Sequence, residues 1–185
     1  QKYGYPKTII ASSAKNSQKN LLNLSANLGK VNYPIWMSVQ SMNENVLKNI
    51  KRKNISSDQM LEIQNQFRRN KTPTKSEVIM SLPGESLDTH VESIEKLILL
   101  KLDLISTYQL MLVNGSEMKE SANEYGFVSK YRLLPRNFTK IRDINVIETE
   151  EIVISTKDCN FNDYINGRIL HLMISIFYPC KGVLR

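Results

Sequence analysis

The sequence predicts an α/β fold of parallel strands, either part of a (β/α) barrel or an open sheet. Three observations predict it. Short apolar segments alternate with helical periodicity about four times between Lys7 and Tyr125, which is the rhythm of βα units. Several of these units pass from strand to helix through turn chemistry, most plainly at Ser81-Leu82-Pro83-Gly84-Glu85-Ser86, where Pro fixes the backbone and Gly permits a positive φ. Finally, 185 residues fall short of the roughly 250 that an eight-fold barrel takes, so a barrel here is only a portion of one.

Taken in order, residues 7–12 read as the first strand, with Lys15 and Asn16 in the loop at its carboxyl end. Leu21, Leu24 and Leu28 then keep a helical period that closes at Gly29, a C-terminal cap. Residues 35–41 form the next strand, in which Trp36, Ser38 and Gln40 alternate with Ile35, Met37 and Val39. A sheet covered by helices on both faces would leave those polar side chains in need of partners, and a ligand is one such partner. Asn43 caps a short helix through Val46, Leu47 and Ile50, and Ser56 with Gln59 has the spacing of a capping box for a helix carrying Met60, Ile63 and Phe67.

Residues 71–75 are expected to be a loop, and Val78, Ile79 and Met80 a short buried strand. The strand-to-helix turn 81–86 follows, then a helix with Leu87, Val91, Ile94 and Ile98 on one face. In parallel α/β folds this kind of turn lies where ligands bind. Another strand lies within residues 102–113 and contains Tyr108, Gln109 and Leu110; Asn114-Gly115-Ser116 is its turn, and residues 117–125 resume as helix. Beyond residue 127 the rhythm lapses: 131–137 reads as a basic loop, 148–155 as a strand and 161–178 as helix.

Hydrophobic content of 41% and charge of 23% are those of an ordinary globular chain. No apolar run reaches the roughly 18 residues of a membrane span; the longest, 169–178, is broken by His171 and Ser175. The net charge of +7 is spread over short segments mixed with acids, which reads as a solvated surface. Cys159 and Cys180 lie 21 positions apart without metal-ligand spacing, and such low cysteine usage fits a reduced, cytoplasmic setting. His90 and His171 have no ligand constellation around them in sequence and read as ordinary helical residues, while Glu85 reads as a carboxylate favoured by a helix dipole. Because the first residue is Gln and no signal-like segment follows, a piece of a longer protein is expected.

Three stretches together carry a family resemblance: Ser38-Val39-Gln40-Ser41-Met42, then Val46 through Arg52, then residues 77–86 with Leu-Pro-Gly-Glu-Ser. In order and spacing they resemble radical S-adenosylmethionine enzymes, most closely the subgroup with an amino-terminal cobalamin-binding domain and more distantly the methylthiotransferases. The resemblance runs from about residue 3 to residue 178. It implies a partial (β/α) TIM-type barrel over residues 1–127 and a C-terminal α+β extension over 128–185. It also implies that Ser38, Gln40 and Ser41 face the ribose and methionine portion of S-adenosylmethionine, and that Arg52 contacts its carboxylate or secures the loop. The strand 78–81 with Ser81, Pro83 and Gly84 would lie against the adenine, Tyr108 to Leu112, with Tyr108 and Leu110 foremost, would complete an apolar adenine wall, and Lys15 and Asn16 would reach the site from the first strand.

The same resemblance implies a 4Fe–4S cluster, cobalamin in the parent protein, a flavodoxin or ferredoxin as electron donor, and a 5′-deoxyadenosyl radical acting on a substrate that the sequence does not identify. Two departures stand out. Ser81 occupies a position where the family usually has Gly, and the Cys-x-x-x-Cys-x-x-Cys loop that binds the cluster is absent, so its ligands are expected outside this chain and the chain alone is expected to be inactive. An incomplete barrel would also leave a strand edge and apolar positions open to water. The alternative is a non-catalytic module binding RNA or protein through Lys51 to Lys53, Arg68-Arg69 and the basic residues Arg132 and Arg136, although aromatics are sparse among them. A methyltransferase acting without radicals would want a Gly-rich loop after the first strand, and residues 12–18 contain no glycine.

Overall fold

The computed structural model describes residues 35–69 and 72–178 together with Ile9 and Asn23; the side chains of Ile35, Ser38, Pro135 and Arg136 are outside that description. The first strand and helix expected from the sequence, with Lys15 and Asn16, lie outside the described residues. Within them, β1 (Ile35–Gln40) is followed by α1 (Glu44–Asn49) and α2 (Ser57–Arg69), β2 (Thr74–Met80), α3 (Leu87–Leu99), β3 (Leu104–Gln109) and the single turn α4 (Glu117–Glu120). A long hairpin of β4 (Val128–Ile141) and β5 (Ile144–Ser155) leads into α5 (Phe161–Phe177).

β1, β2 and β3 form a parallel sheet in that order, with Trp36 opposite Lys75 and Lys75 opposite Leu104, and with Met80 opposite Gln109. The fold is therefore mixed α/β with a parallel sheet, and no closed barrel forms among the described residues. β2 buries every second residue, so Thr74, Ser76, Val78 and Met80 share one face. That face meets α2, α3 and α5 in a core of Val39, Met60, Val78, Ile94, Leu97, Leu102, Ile105 and Tyr178. The opposite face carries Trp36, Lys75, Glu77 and Ile79, all half-buried, and exposed Tyr108; the Lys75 ammonium lies 3.9 Å from the centre of the Trp36 ring. Enclosure of both sheet faces by helices, expected from the sequence, is not what the described residues show.

Helix starts follow local chemistry. Asn43 accepts from the N–H groups of Asn45 and Val46, the Ser56–Gln59 box closes as expected, and Ser86 with Thr89 forms a second box for α3. Three expectations are corrected. Thr74 and Lys75, expected in a loop, already belong to β2, because Ile35 and Trp36 of β1 pair with them. Residues 131–137 belong to β4 and not to a loop, because β5 supplies a ladder in which Tyr131 pairs with Glu151 and Leu133 with Thr149. The helix expected over 117–125 stops after one turn, and no buried apolar residue of α4 supports a longer one.

β5 is tied to the parallel sheet. Val153 N–H donates to Leu110 O at 2.9 Å and Leu112 N–H to Glu151 O at 2.9 Å, so the hairpin's end pairs with the segment that leaves β3. Leu110, Leu112 and Val153 then pack with Val46 and Leu82 in a second cluster at the carboxyl end of the sheet.

Candidate functional site

Gln40, Ser81 and Gln109 lie at or directly after the carboxyl ends of three adjoining parallel strands, with Gln109 opposite Met80 and so on the face that packs under the helices. Gln40 closes β1 with φ +65°, and Ser81, directly after β2, has φ +69°. Side chains rarely take this left-handed region, so the chain turns sharply out of both strands. The Gln40 Oε1, Ser81 Oγ and Gln109 Nε2 atoms are buried and have no hydrogen-bond partner. Buried polar atoms without partners are uncommon in native folds, and each of the three is a place at a strand end where a polar ligand or ordered water would be satisfied.

The turn after β2 is held from two sides. Gly84 has φ +79°, and a β-carbon there would meet Asn49 Nδ2 at 2.5 Å; that amide donates to Pro83 O at 3.0 Å. Proline and glycine thus let the turn rest on the end of α1. From the other side, Glu85 is 1% exposed; its N–H donates to Leu82 O at 3.0 Å and its Oε2 accepts from Leu82 N–H at 3.4 Å. Glu85 precedes the Ser86 cap, so its role is not the helix-dipole one expected from sequence.

Glu85 begins a buried polar chain. Its Oε1 is 3.3 Å from His90 Nδ1, His90 Nε2 is 2.8 Å from His171 Nε2, and His171 Nδ1 is 3.2 Å from Arg168 Nη1. His90 is fully buried and His171 is 3% exposed. Burial, with His90 and the Arg168 cation nearby, pushes the His171 pKa down to about 3. In sequence alone these histidines read as ordinary helical residues; the structure joins them in one hydrogen-bonded chain. The available signal was His171 on the same face of α5 as Tyr164 and Gly167, a polar residue within the stripe that the helix buries.

Cys159, in the connection before α5, is 2% exposed. Burial first, and then the negative charge of Asp163, push its thiol up to about 11, so it is a poor nucleophile. The Ser81 hydroxyl beside it pulls weakly the other way but lies outside normal hydrogen-bond geometry with it.

The other residues singled out from sequence fall in distinct places. Ser41 is buried and engaged: its Oγ accepts from Asn43 N–H at 3.2 Å and lies 3.4 Å from Ser93 Oγ. The backbone of Ser38 pairs with Glu77. Arg52 is exposed beyond α1, where its N–H donates to Leu47 O. Tyr108 is 45% exposed on the open face, whereas Leu110 is buried against Leu82 and Val153. Gln109, expected only as part of an apolar wall, ends β3 with a buried amide that lacks a partner. Of the basic groups, Lys51 pairs with Glu117 and Arg132 with Glu150. Among the described residues no group of His, Cys, Asp and Glu is arranged to hold a metal ion, and no helix is long and apolar enough to cross a membrane.

No family model matches the chain. Among curated proteins it is 30% identical over 122 residues to an uncharacterized protein of Methanocaldococcus jannaschii, a match covering 65% of this chain and 36% of that protein; the chain thus spans little more than a third of the relative's length. Among solved structures it is similar to coproporphyrinogen III oxidase (HemN) from Escherichia coli, a radical SAM enzyme, at 17% identity and a TM-score of 0.42, over 55% of this chain and 22% of that one. It is also similar to the radical S-adenosylmethionine methyltransferase TsrM from Kitasatospora setae. With cobalamin and a 4Fe–4S cluster bound, that structure matches at 13% identity and a TM-score of 0.47, over 70% of this chain and 24% of TsrM. With tryptophan substrate and the analogue aza-SAM bound, the values are 12% and 0.44, over 70% and 25%.

Proposed function

We propose that this chain is part of a radical S-adenosylmethionine enzyme and contributes the strand ends that hold S-adenosylmethionine. The observation that carries the reading is the set of unpaired buried atoms Gln40 Oε1, Ser81 Oγ and Gln109 Nε2 at neighbouring strand ends, of which Gln40 and Ser81 lie within the motifs that resemble the family. An acceptor, a hydroxyl and an amide donor suit the hydroxyls and amino acid portion of such a ligand. Pro83 and Gly84 hold the turn against which the adenine would lie, with Tyr108 on the open face. Ser38 and Arg52 are assigned to the methionine side, and Lys15 and Asn16 to the ligand, on the resemblance alone; Ser41 and Leu110 support the site from within their own contacts.

The cluster does not fit this chain. A three-thiolate set cannot be built from two cysteines 21 positions apart, so its ligands belong to another part of the parent protein, and no step is assigned to it here. When bound and reduced, S-adenosylmethionine would supply hydrogen-abstracting radical chemistry; this chain's residues would orient it. We further assign the parent protein to cobalamin-dependent methyl transfer in the cytoplasm, with flavodoxin or ferredoxin as electron donor.

The test is calorimetric binding of S-adenosylmethionine to this chain and to the anaerobically prepared parent protein. Gln40→Leu and Gln109→Leu are each expected to weaken binding by about tenfold, since a hydrogen bond of ~1 kcal/mol is lost and its ligand partner left unpaired. Absence of saturable binding to the parent protein, or affinities unchanged by both substitutions, would overturn the assignment.

A further inference from the structure

The ends of the buried chain Glu85–His90–His171–Arg168 dictate where every proton in it sits. A guanidinium can only donate, and an ionised carboxylate can only accept. Arg168 Nη1–H therefore donates to His171 Nδ1 across 3.2 Å. His171 must then carry its proton on Nε2 and donate to His90 Nε2 across 2.8 Å. His90, accepting there, carries its proton on Nδ1 and donates to Glu85 Oε1 across 3.3 Å. Both imidazoles are neutral, and each uses both nitrogens. A charged His90 would break the pattern, because His171 would have to accept at Nε2 and turn an N–H toward the Arg168 N–H.

We propose that this one-way chain is a latch by which α5 positions the strand-end turn: Arg168 and His171, acting through His90, hold the Glu85 carboxylate on Leu82 N–H and so fix residues 81–85. The three buried side chains Glu85, His90 and His171 are costly to bury, with Arg168 half-buried at the end of the chain, and apolar replacements could fill the same space. What the polar chain adds is a single permitted register between α5 and the turn, since a slip by one residue would strand a donor or an acceptor. The His171 pKa of about 3 keeps that imidazole neutral throughout the range in which the protein would work. The latch stands whether or not the strand-end site takes S-adenosylmethionine.

The test combines nitrogen-15 NMR of the imidazoles in the whole chain with amide hydrogen exchange. His90 is expected as the Nδ1–H tautomer and His171 as the Nε2–H tautomer. In His171→Gln the amide keeps a donor for His90 and an acceptor for Arg168, so Leu82 N–H should exchange within about threefold of the parent rate, whereas His171→Leu should speed it by about tenfold or more. Ile105 N–H in β3 should be unmoved in both. The opposite tautomers, a charged imidazole, or equal acceleration at Leu82 and Ile105 would overturn the latch. If His171→Leu fails to fold, the tautomers of the parent and the exchange rates of the Gln variant still decide.

Discussion

Gly167 of α5 and Met80 of β2 meet with no room for a β-carbon between them: one built on Gly167 would collide with the Met80 Sδ and Cε. Met80 is 1% exposed and has little space to swing into. Gly167→Ala should therefore lower stability despite a helix-propensity gain of about 1 kcal/mol, because overpacking costs about 1 to 3 kcal/mol. A lower urea midpoint at unchanged m is expected. A higher midpoint would mean that the Met80 side chain moves aside freely.

Ser81 holds φ +69°, where a side chain costs about 1 to 2 kcal/mol and glycine does not. Ser81→Gly should raise stability by a few tenths to about 1 kcal/mol after the entropy of the glycine is subtracted. Ser81→Val, branched at the wrong backbone angle, should lower it by about 2 kcal/mol. Thermal midpoints of the two variants moving in the same direction would contradict this account.

His171 gives acid sensitivity a definite sign. Its folded pKa of about 3 lies below the ordinary value near 6.5, so the unfolded chain takes up the proton first. Its contribution is complete above about pH 6.5 and is lost as pH falls from there toward 3, at up to about 1.4 kcal/mol per pH unit. Urea midpoints measured at pH 7, 6 and 5 should fall more steeply for the parent than for His171→Gln, which has nothing to protonate at that position.

Asn160 caps α5 by accepting from the N–H groups of Asn162 and Asp163, while the Asp163 carboxylate accepts from Asn160 N–H. Asn160→Ala should cost about 1 kcal/mol. Since α5 carries His171 and Arg168, the same variant should also increase exchange at Leu82 N–H. Loss of stability without that increase would separate the cap from the latch.

What could be read in the sequence was what short segments decide for themselves. Asn43, Ser56 with Gln59, and Ser86 announce helix starts because a cap and its partners lie within three residues. Pro83 and Gly84 announce a turn for the same reason. Residues 131–137 could not be read as a strand, since Pro135 and the basic side chains speak against one; residues 149–151 across the hairpin supply the ladder for 131–133, and after an irregularity it resumes at Phe138 opposite Ile147. His90 and His171 are separated by 81 positions, and only the packing of α5 on α3 makes them neighbours. Gln40 was legible as a polar strand end, but its unpaired Oε1 depends on what β2 and β3 place around it.

The anchoring of β5 on the segment after β3, with α5 then closing over Met80 and His90, sets an order of assembly. β2 and α3 emerge from the ribosome long before residues 152–177, so during synthesis Glu85 and His90 wait uncovered while some 80 further residues are made. Contacts between parts so distant in sequence form late and slow folding. Nascent chains stalled before residue 160 should therefore be open to proteases around the 81–90 segment and become resistant there only once α5 has left the exit tunnel.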